Sequence, residues 1–297
     1  MYTRFEDTQE AVINPWDIVK RRADCPKVAV TCFAHNLIAY AIEKYQAQVY
    51  DYLHTTNGDK PIYVCKIESH RIALFMSGTG ASAAVNEYEE LFALGIESIV
   101  VFGTCGVLDS SIKDCAILLP TLAYRDEGTS FHYAQASQTI AVNVNTHTQM
   151  KQFFQTHAIA YRGAKVWTTD GFYRETRNKV ERMKAAGYTC VDMECSALAA
   201  LAQFRRKRIA QFFYLKSRQN TPSQWPMNRW EMNAAIFLFI LVFLLFFISF
   251  LKLFLRSWYN DVNKRRVSNM KSYRTYSSIL SANHPQNPRL FCSYASC

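Results

Sequence analysis

Residues 189–201, TCVDMECSALAAL, constrain the fold more than any other stretch. A short β-type run, Thr189-Cys190-Val191, leads through Asp192-Met193-Glu194 into a small-residue segment, 195–203, with helical character. A carboxylate at a strand-to-helix junction is where open α/β sheets place ligand-binding groups. Glu194 has the chemistry to accept two hydrogen bonds from a vicinal diol, and Met193 can pack beneath an apolar sugar face. A second reading stays open: an acid in the first turn also caps a helix against its own dipole.

The rest of the chain alternates in a matching way. Residues 27–33 (KVAVTCF) predict a buried strand, 37–45 a helix and Asn57-Gly58-Asp59 a turn. Residues 62–67 and 71–76 predict two antiparallel strands. A helix follows to Leu94, then a continuous apolar strand at 99–102 and another at 116–120. Residues 148–157 predict a helix, 164–169 a strand, 173–186 a helix stopped by Gly187, and 208–214 a last strand. The pattern is that of an α/β domain over residues 1–214, with a mixed, mostly parallel sheet and some antiparallel pairing early on.

Two glycine-rich segments stand out. SGTGASAA at 77–84 follows a strand and opens a helix. There Gly78 and Gly80 let backbone N–H groups approach an anion that the helix dipole favours; such turns also serve tight geometry alone. GTCG at 103–106 reads as a second turn, with the Thr104 hydroxyl turned to the same anion or to its own turn. The polar, aromatic stretch 123–133, AYRDEGTSFHY, reads as a functional loop or a solvated hairpin.

Charge separates the chain into two parts. The net charge is +10, yet residues 1–214 carry 23 basic and 22 acidic side chains, against 11 and 2 in 215–297. The first part has the balance of a soluble, enzyme-sized domain. Nine cysteines with no C-x-x-C pair argue against a zinc site or a disulfide framework and for a cytoplasmic domain. The first residues, MYTRFEDTQE, lack the apolar core of a signal peptide.

Four blocks in order, SGTGASAA (77–84), VVFGTCGVL (100–108), YRDEGTSFHYA (124–134) and VDMECSALAALA (191–202), resemble the nucleoside phosphorylase family of purine nucleoside and uridine phosphorylases. The resemblance covers about residues 27–214, and the third block is nearer the uridine branch. It implies a three-layer α/β/α fold with a mixed, partly closed sheet. It also implies a homo-oligomer, a dimer or a trimer of dimers, whose sites borrow side chains from a neighbour. The implied reaction is phosphorolysis of ribonucleosides to free base and ribose 1-phosphate, with phosphate as co-substrate, no cofactor and no metal. Gly78, Gly80 and Thr104 match the phosphate side. Met193 and Glu194 match the ribose clamp. Phe172 and Arg177 match the base side, with Arg174 a weaker match than Arg177. Glu194 and Arg125 are the catalytic candidates.

Three departures from the family pattern bear on activity. Val101 stands where an arginine is expected to face phosphate. Thr31-Cys32-Phe33-Ala34-His35 replaces the early phosphate loop. Beyond the strand at 208–214 the chain reads LKSRQN, without the expected small-residue turn and its aspartate. Hydrolysis, or a catalytically inactive membrane-tethered paralogue, are the corresponding alternatives.

The tail is read as a linker (215–233), a hydrophobic helix within 234–255 and a basic, disordered segment (256–297). The 18 residues AAIFLFILVFLLFFISFL, about 27 Å as a helix, match a bilayer core and are flanked by Trp230 and Trp258. They are a membrane anchor or a neutral, out-of-family tail. The dispersed basic residues show no recognition module, so no nucleic-acid partner is expected.

Overall fold

Strand β1 (Val28–Cys32) is buried at every residue. That requires neighbours on both edges and a layer on each face. The computed structural model, which describes residues 5–109, 111–112 and 117–215, provides them. β1 pairs in parallel with β4 (His70–Met76) on one side and β5 (Ser98–Val107) on the other. β4 continues antiparallel into β3 (Gly58–Ile67), and β3 into β2 (Gln48–Thr55). β5 pairs in parallel with β10 (Arg208–Leu215) and antiparallel with β9 (Cys190–Asp192). β10 pairs with β6 (Ile117–Asp126), β6 with β8 (Tyr161–Thr169), and β8 with β9, so this half closes into a ring. β7 (Thr139–Ala141) edges β6 and completes a 10-stranded sheet.

Seven helices lie among the described residues: α1 (Pro15–Ile18), α2 (His35–Lys44), α3 (Ala81–Leu94), α4 (Ser130–Tyr133), α5 (His147–Thr156), α6 (Arg177–Ala185) and α7 (Cys195–Phe204). α7 is the wedge between the two halves. Its Ala197, Leu198 and Leu201 pack with Val85, Tyr88 and Leu91 of α3, with Ala29 of β1 in the open half and with Val101 of β5, the strand the two halves share. Its Cys195, Ala199 and Ala200 turn to Ala123, Val166 and Phe213 of the ring. Small side chains let it enter both. On the other face of the sheet, Phe102 stacks on Phe212 with centroids 5.5 Å apart, and Phe212 meets Phe154 of α5 edge-on at 6.3 Å. Helices therefore cover both faces, as an α/β/α arrangement requires.

Several expectations change. The sheet is mixed with most of its paired residues in parallel register, but antiparallel pairing is not confined to the early β2–β3–β4 meander: β7, β9 and β10 each also meet a neighbour antiparallel. Residues 103–106 are not a turn but the last part of β5, held on one edge by β10 (Gly103 opposite Phe213) and on the other by β9 (Gly106 opposite Val191). The glycines serve close approach: a Cβ at Gly103 would stand 3.0 Å from the Phe33 ring, and at Gly106 2.7 Å from Val191 Cγ1. The segment 123–133 is not a loop throughout; Ala123 to Asp126 extend β6, and Ser130–Tyr133 form α4. The helix expected from 173 begins at Arg177, behind the N-cap Thr176, and Phe172–Arg174 form a separate 3₁₀ turn. β2 and β7 were not foreseen. Among the described residues no helix is long and apolar enough to cross a membrane. The linker, the hydrophobic segment 234–255 and the basic tail 256–297 lie outside the described residues, apart from Leu215 at the end of β10.

If α7 joins the halves, truncating its buried face should loosen both. Leu198→Ala is expected to lower unfolding free energy by about 2–5 kcal/mol, measured as a shift in urea midpoint; a loss under about 1 kcal/mol would deny α7 that role.

Candidate active site

The site begins where β9 gives way to α7. Asp192 ends the strand, and its Oδ2 accepts the backbone N–H of Glu194 (3.0 Å) and of Cys195 (2.6 Å). The first amides of a helix lack internal partners, so Asp192 supplies the cap. Glu194 occupies the N-cap position yet makes no capping bond with its side chain. Its Oε1 instead accepts the N–H of Gly80 at 2.6 Å, across to the turn that opens α3. Of the two roles left open for Glu194, capping belongs to Asp192.

Both acids are buried, at 8% and 7% relative exposure. Burial pushes the Asp192 carboxyl up to about 6, opposed by the Thr168 hydroxyl and the two amides it accepts. Burial pushes Glu194 up to about 8, and the neighbouring Asp192 charge adds to this, against the Gly80 and Met193 amides. Both shifts favour the neutral form because desolvation penalises a buried charge.

Behind Asp192 runs a buried polar chain. Thr168 Oγ1 donates to Asp192 Oδ1 (2.7 Å) and accepts from the Ser196 amide (3.1 Å). Ser196 Oγ donates to Glu127 Oε1 (2.8 Å), and Glu127 Oε2 accepts the Ser130 amide (2.9 Å). Arg125 Nε donates to Ser130 Oγ (2.8 Å). The rest of the Arg125 guanidinium donates to the carbonyls of Gln135 (2.7 Å) and Ala134 (3.2 Å) and lies 4.0 Å over the Phe131 ring. Arg125 was named as a catalytic candidate. Its donors are directed to the protein's own 130–137 segment, and burial lowers its pKa.

The remaining candidates divide. Gly78 and Gly80 lie in the turn between β4 and α3, and neither amide faces open space. Gly80 N–H meets Glu194, and Gly78 N–H donates to Glu87 Oε2 at 2.7 Å. Glu87 is also paired with Lys60 of β3. Val101, where an arginine was expected, is 3% exposed within the apolar cluster under α3 and α7. Thr104 is exposed on β5 opposite Tyr214. Met193 is half-buried between the two acids. Phe172 is 59% exposed beyond the end of β8, where Asp170 Oδ2 accepts the Gly128 amide at 3.0 Å. Arg177 is exposed at the first position of α6. β8 and β9 run in parallel with Thr168 opposite Asp192, so Phe172 and Glu194 leave the sheet at the same end. A recess of about 380 Å³ lined by Glu97, Arg206, Lys207 and Arg208 opens at the opposite ends of β5 and β10 and is separate from this site.

Sequence reasoning missed Asp192, Thr168, Glu127, Ser196, Glu87 and Lys60. Asp192 had a signal in the acid pair of D-M-E; Glu87 and Lys60 are 27 residues apart and had none.

Residues 27–232, more than half of the chain, match the Phosphorylase superfamily. A guanosine phosphorylase of Halorubrum lacusprofundi is 26% identical over 136 residues, 46% of this chain and 56% of that protein. The chain thus spans little more than half the length of the curated relatives it matches. A uridine phosphorylase structure from Vibrio fischeri has a TM-score of 0.61 at 17% identity, covering 75% of this chain and 93% of that one. A 5'-methylthioadenosine/S-adenosyl homocysteine nucleosidase structure from Campylobacter jejuni has a TM-score of 0.60 at 14% identity, covering 74% and 98%. The structural likeness is one of fold. The chain belongs to the phosphorylase superfamily.

The raised acids give the site a pH signature. A carboxyl whose folded pKa exceeds its unfolded value binds protons more tightly when folded. Its contribution to stability is complete below the unfolded value and lost as pH rises through the folded one. For Glu194 that window runs from 4.5 to about 8. Unfolding free energy should fall across it, and Glu194→Gln should flatten the decline, read by denaturant titration at a series of pH values. An unchanged slope in the variant would show that Glu194 does not titrate there.

Proposed function

We propose that this member of the phosphorylase superfamily cleaves the N-glycosidic bond of ribonucleosides and releases the free base. The observation that carries this reading is the buried Glu194 carboxyl, relieved of capping by Asp192 and lying against the Gly80 amide at 2.6 Å. In this reading Glu194 takes the 2′- and 3′-hydroxyls of the ribose, and Met193 packs beneath the ring. Phe172 and Arg177 serve the base, with uridine favoured over purine nucleosides on the YRDEGTSFHYA block. As the C1′–N bond breaks, its electron pair leaves with the base and C1′ becomes oxocarbenium-like. Holding the diol aligns C1′ with the incoming oxygen, and alignment is a major part of such catalysis.

Phosphorolysis is the reading that accompanies the superfamily, with phosphate held by Gly78, Gly80 and Thr104 and ribose 1-phosphate as the second product. Hydrolysis is the second reading. It is favoured by one arrangement: the Gly78 amide is taken by Glu87, and Val101 replaces an arginine in an apolar cluster. Phosphate would lack the charge-assisted bonds, about 1.5–3 kcal/mol each, that hold it in a buried site.

Release of base from uridine and inosine by the full chain, with and without phosphate, tests the proposal. Glu194→Ala is expected to reduce turnover about a hundredfold or more while the fold survives. Retained turnover in this variant, with stability changed by only about 0.3–1 kcal/mol, would reduce Glu194 to a helix-end acid.

A further inference from the structure

The turn between β4 and α3 has the form of an anion cradle, but an anion from the chain itself already fills it. Glu87 lies on α3, two turns beyond Gly80. Side chains on a helix lean toward its N-terminus, so a long acid at this position reaches back over the turn. Glu87 Oε2 accepts the Gly78 amide at 2.7 Å, and a Cβ built at Gly78 would stand 2.7 Å from Glu87 Oε1. Lys60 reaches from β3 to the same Oε1. Glu87 is 5% exposed, and Lys60 is far less buried, at 30% of its side-chain surface. The second amide of the cradle, Gly80 N–H, is held by Glu194. Tyr88 is fully buried beside this turn, with its hydroxyl directed to Ser77.

We infer that the Glu87–Lys60 pair is an internal plug of the phosphate subsite and that it selects water as the nucleophile. The inference rests on the proposed nucleoside cleavage. A phosphate dianion entering here would have to displace one carboxylate from Gly78, remain beside Glu194, and separate Lys60 from its partner. Water carries no charge and meets none of these costs. In the hydrolytic step the water oxygen bonds to C1′ as the C1′–N bond breaks. The electron pair stays on the base nitrogen, a water proton passes to the base, and the products are free base and ribose. Glu87 is thus a specificity-determining residue for the nucleophile, and it does not contact the nucleoside.

Two readouts on the full-length chain separate this inference from the cleavage reading. The first is calorimetric titration with inorganic phosphate. The wild type is expected to give no binding heat. Glu87→Ala frees the Gly78 amide and Lys60 and should bind phosphate about tenfold tighter or more, a change of about 1.4 kcal/mol or greater. Adding Lys60→Met should abolish the gain. The second is product identity: the wild type should yield ribose at a rate independent of phosphate, and Glu87→Ala should form ribose 1-phosphate when phosphate is present. Phosphate binding by the wild type equal to that of Glu87→Ala, or ribose 1-phosphate from the wild type, would overturn the plug even if Glu87→Ala failed to fold. If no variant released base, nucleoside cleavage would fall, while the calorimetry would still decide what Glu87 does.

Discussion

The Asp192 carboxylate accepts the first amides of α7, and this pairing decides what its neighbour can do. A helix end buried without a partner for its amides is costly, so one acid of the D-M-E sequence must serve it. Asp192 does so from the end of β9, with Thr168 as a third donor. Burying this carboxylate is tolerated because each donor offsets part of its desolvation. Glu194 is then free to cross from the ring side of the sheet to the turn ahead of α3, joining residues 114 apart in sequence. The same contact places a buried acid at the junction of the two halves of the fold, where α7 is wedged.

Precision at this junction depends on the chain of groups behind it. Thr168, Ser196, Glu127, Ser130 and Arg125 are each bonded to the next, and all are buried. In a low-dielectric interior such a chain is worth having only when every member is satisfied. Arg125 completes it, because its remaining donors reach the carbonyls of the 134–137 segment. The arginine is thereby bonded to Ser130 of α4 and, through Glu127 and Ser196, connected to the first turn of α7.

What could be read from the sequence follows from how local each signal is. The junction at 189–201 was legible because a β run, two acids and a run of alanines are contiguous and each constrains the next. The turn at 77–84 was legible for the same reason. Gly103 to Gly106 misled because glycine marks both turns and close backbone approach, and only the positions of Phe33 and Val191 distinguish the two. The strand at 48–55 was overlooked because its exposed edge carries Gln48, Asp51 and His54 in place of a clean apolar alternation. Arg125 matched a family block, which conveys ancestry and says nothing of where a guanidinium points. Glu87 was illegible in principle. Within NEYEEL it reads as one more acid on a solvated helix face, and its partners, Gly78 and Lys60, come to it only through the packing of α3 against the sheet.

That packing also sets the electrical character of the site. Glu87 and Glu194 each take one glycine amide of the turn, Asp192 lies behind Glu194 on the first amides of α7, and Glu90 is pushed upward by its own burial and by Glu87. Two like unit charges 4 Å apart repel by about 4 kcal/mol at an effective dielectric near 20. Burial lifts Glu194 into its neutral form near physiological pH, which lessens that repulsion and leaves a carboxyl able to donate as well as accept. A phosphate dianion would reverse this economy of charge, since every added negative charge makes the ionised acids costlier to keep. A neutral nucleoside and a neutral nucleophile add none. The acids of this site are thus mutually compatible as they stand, and the compatibility holds as long as the reacting partners arrive uncharged.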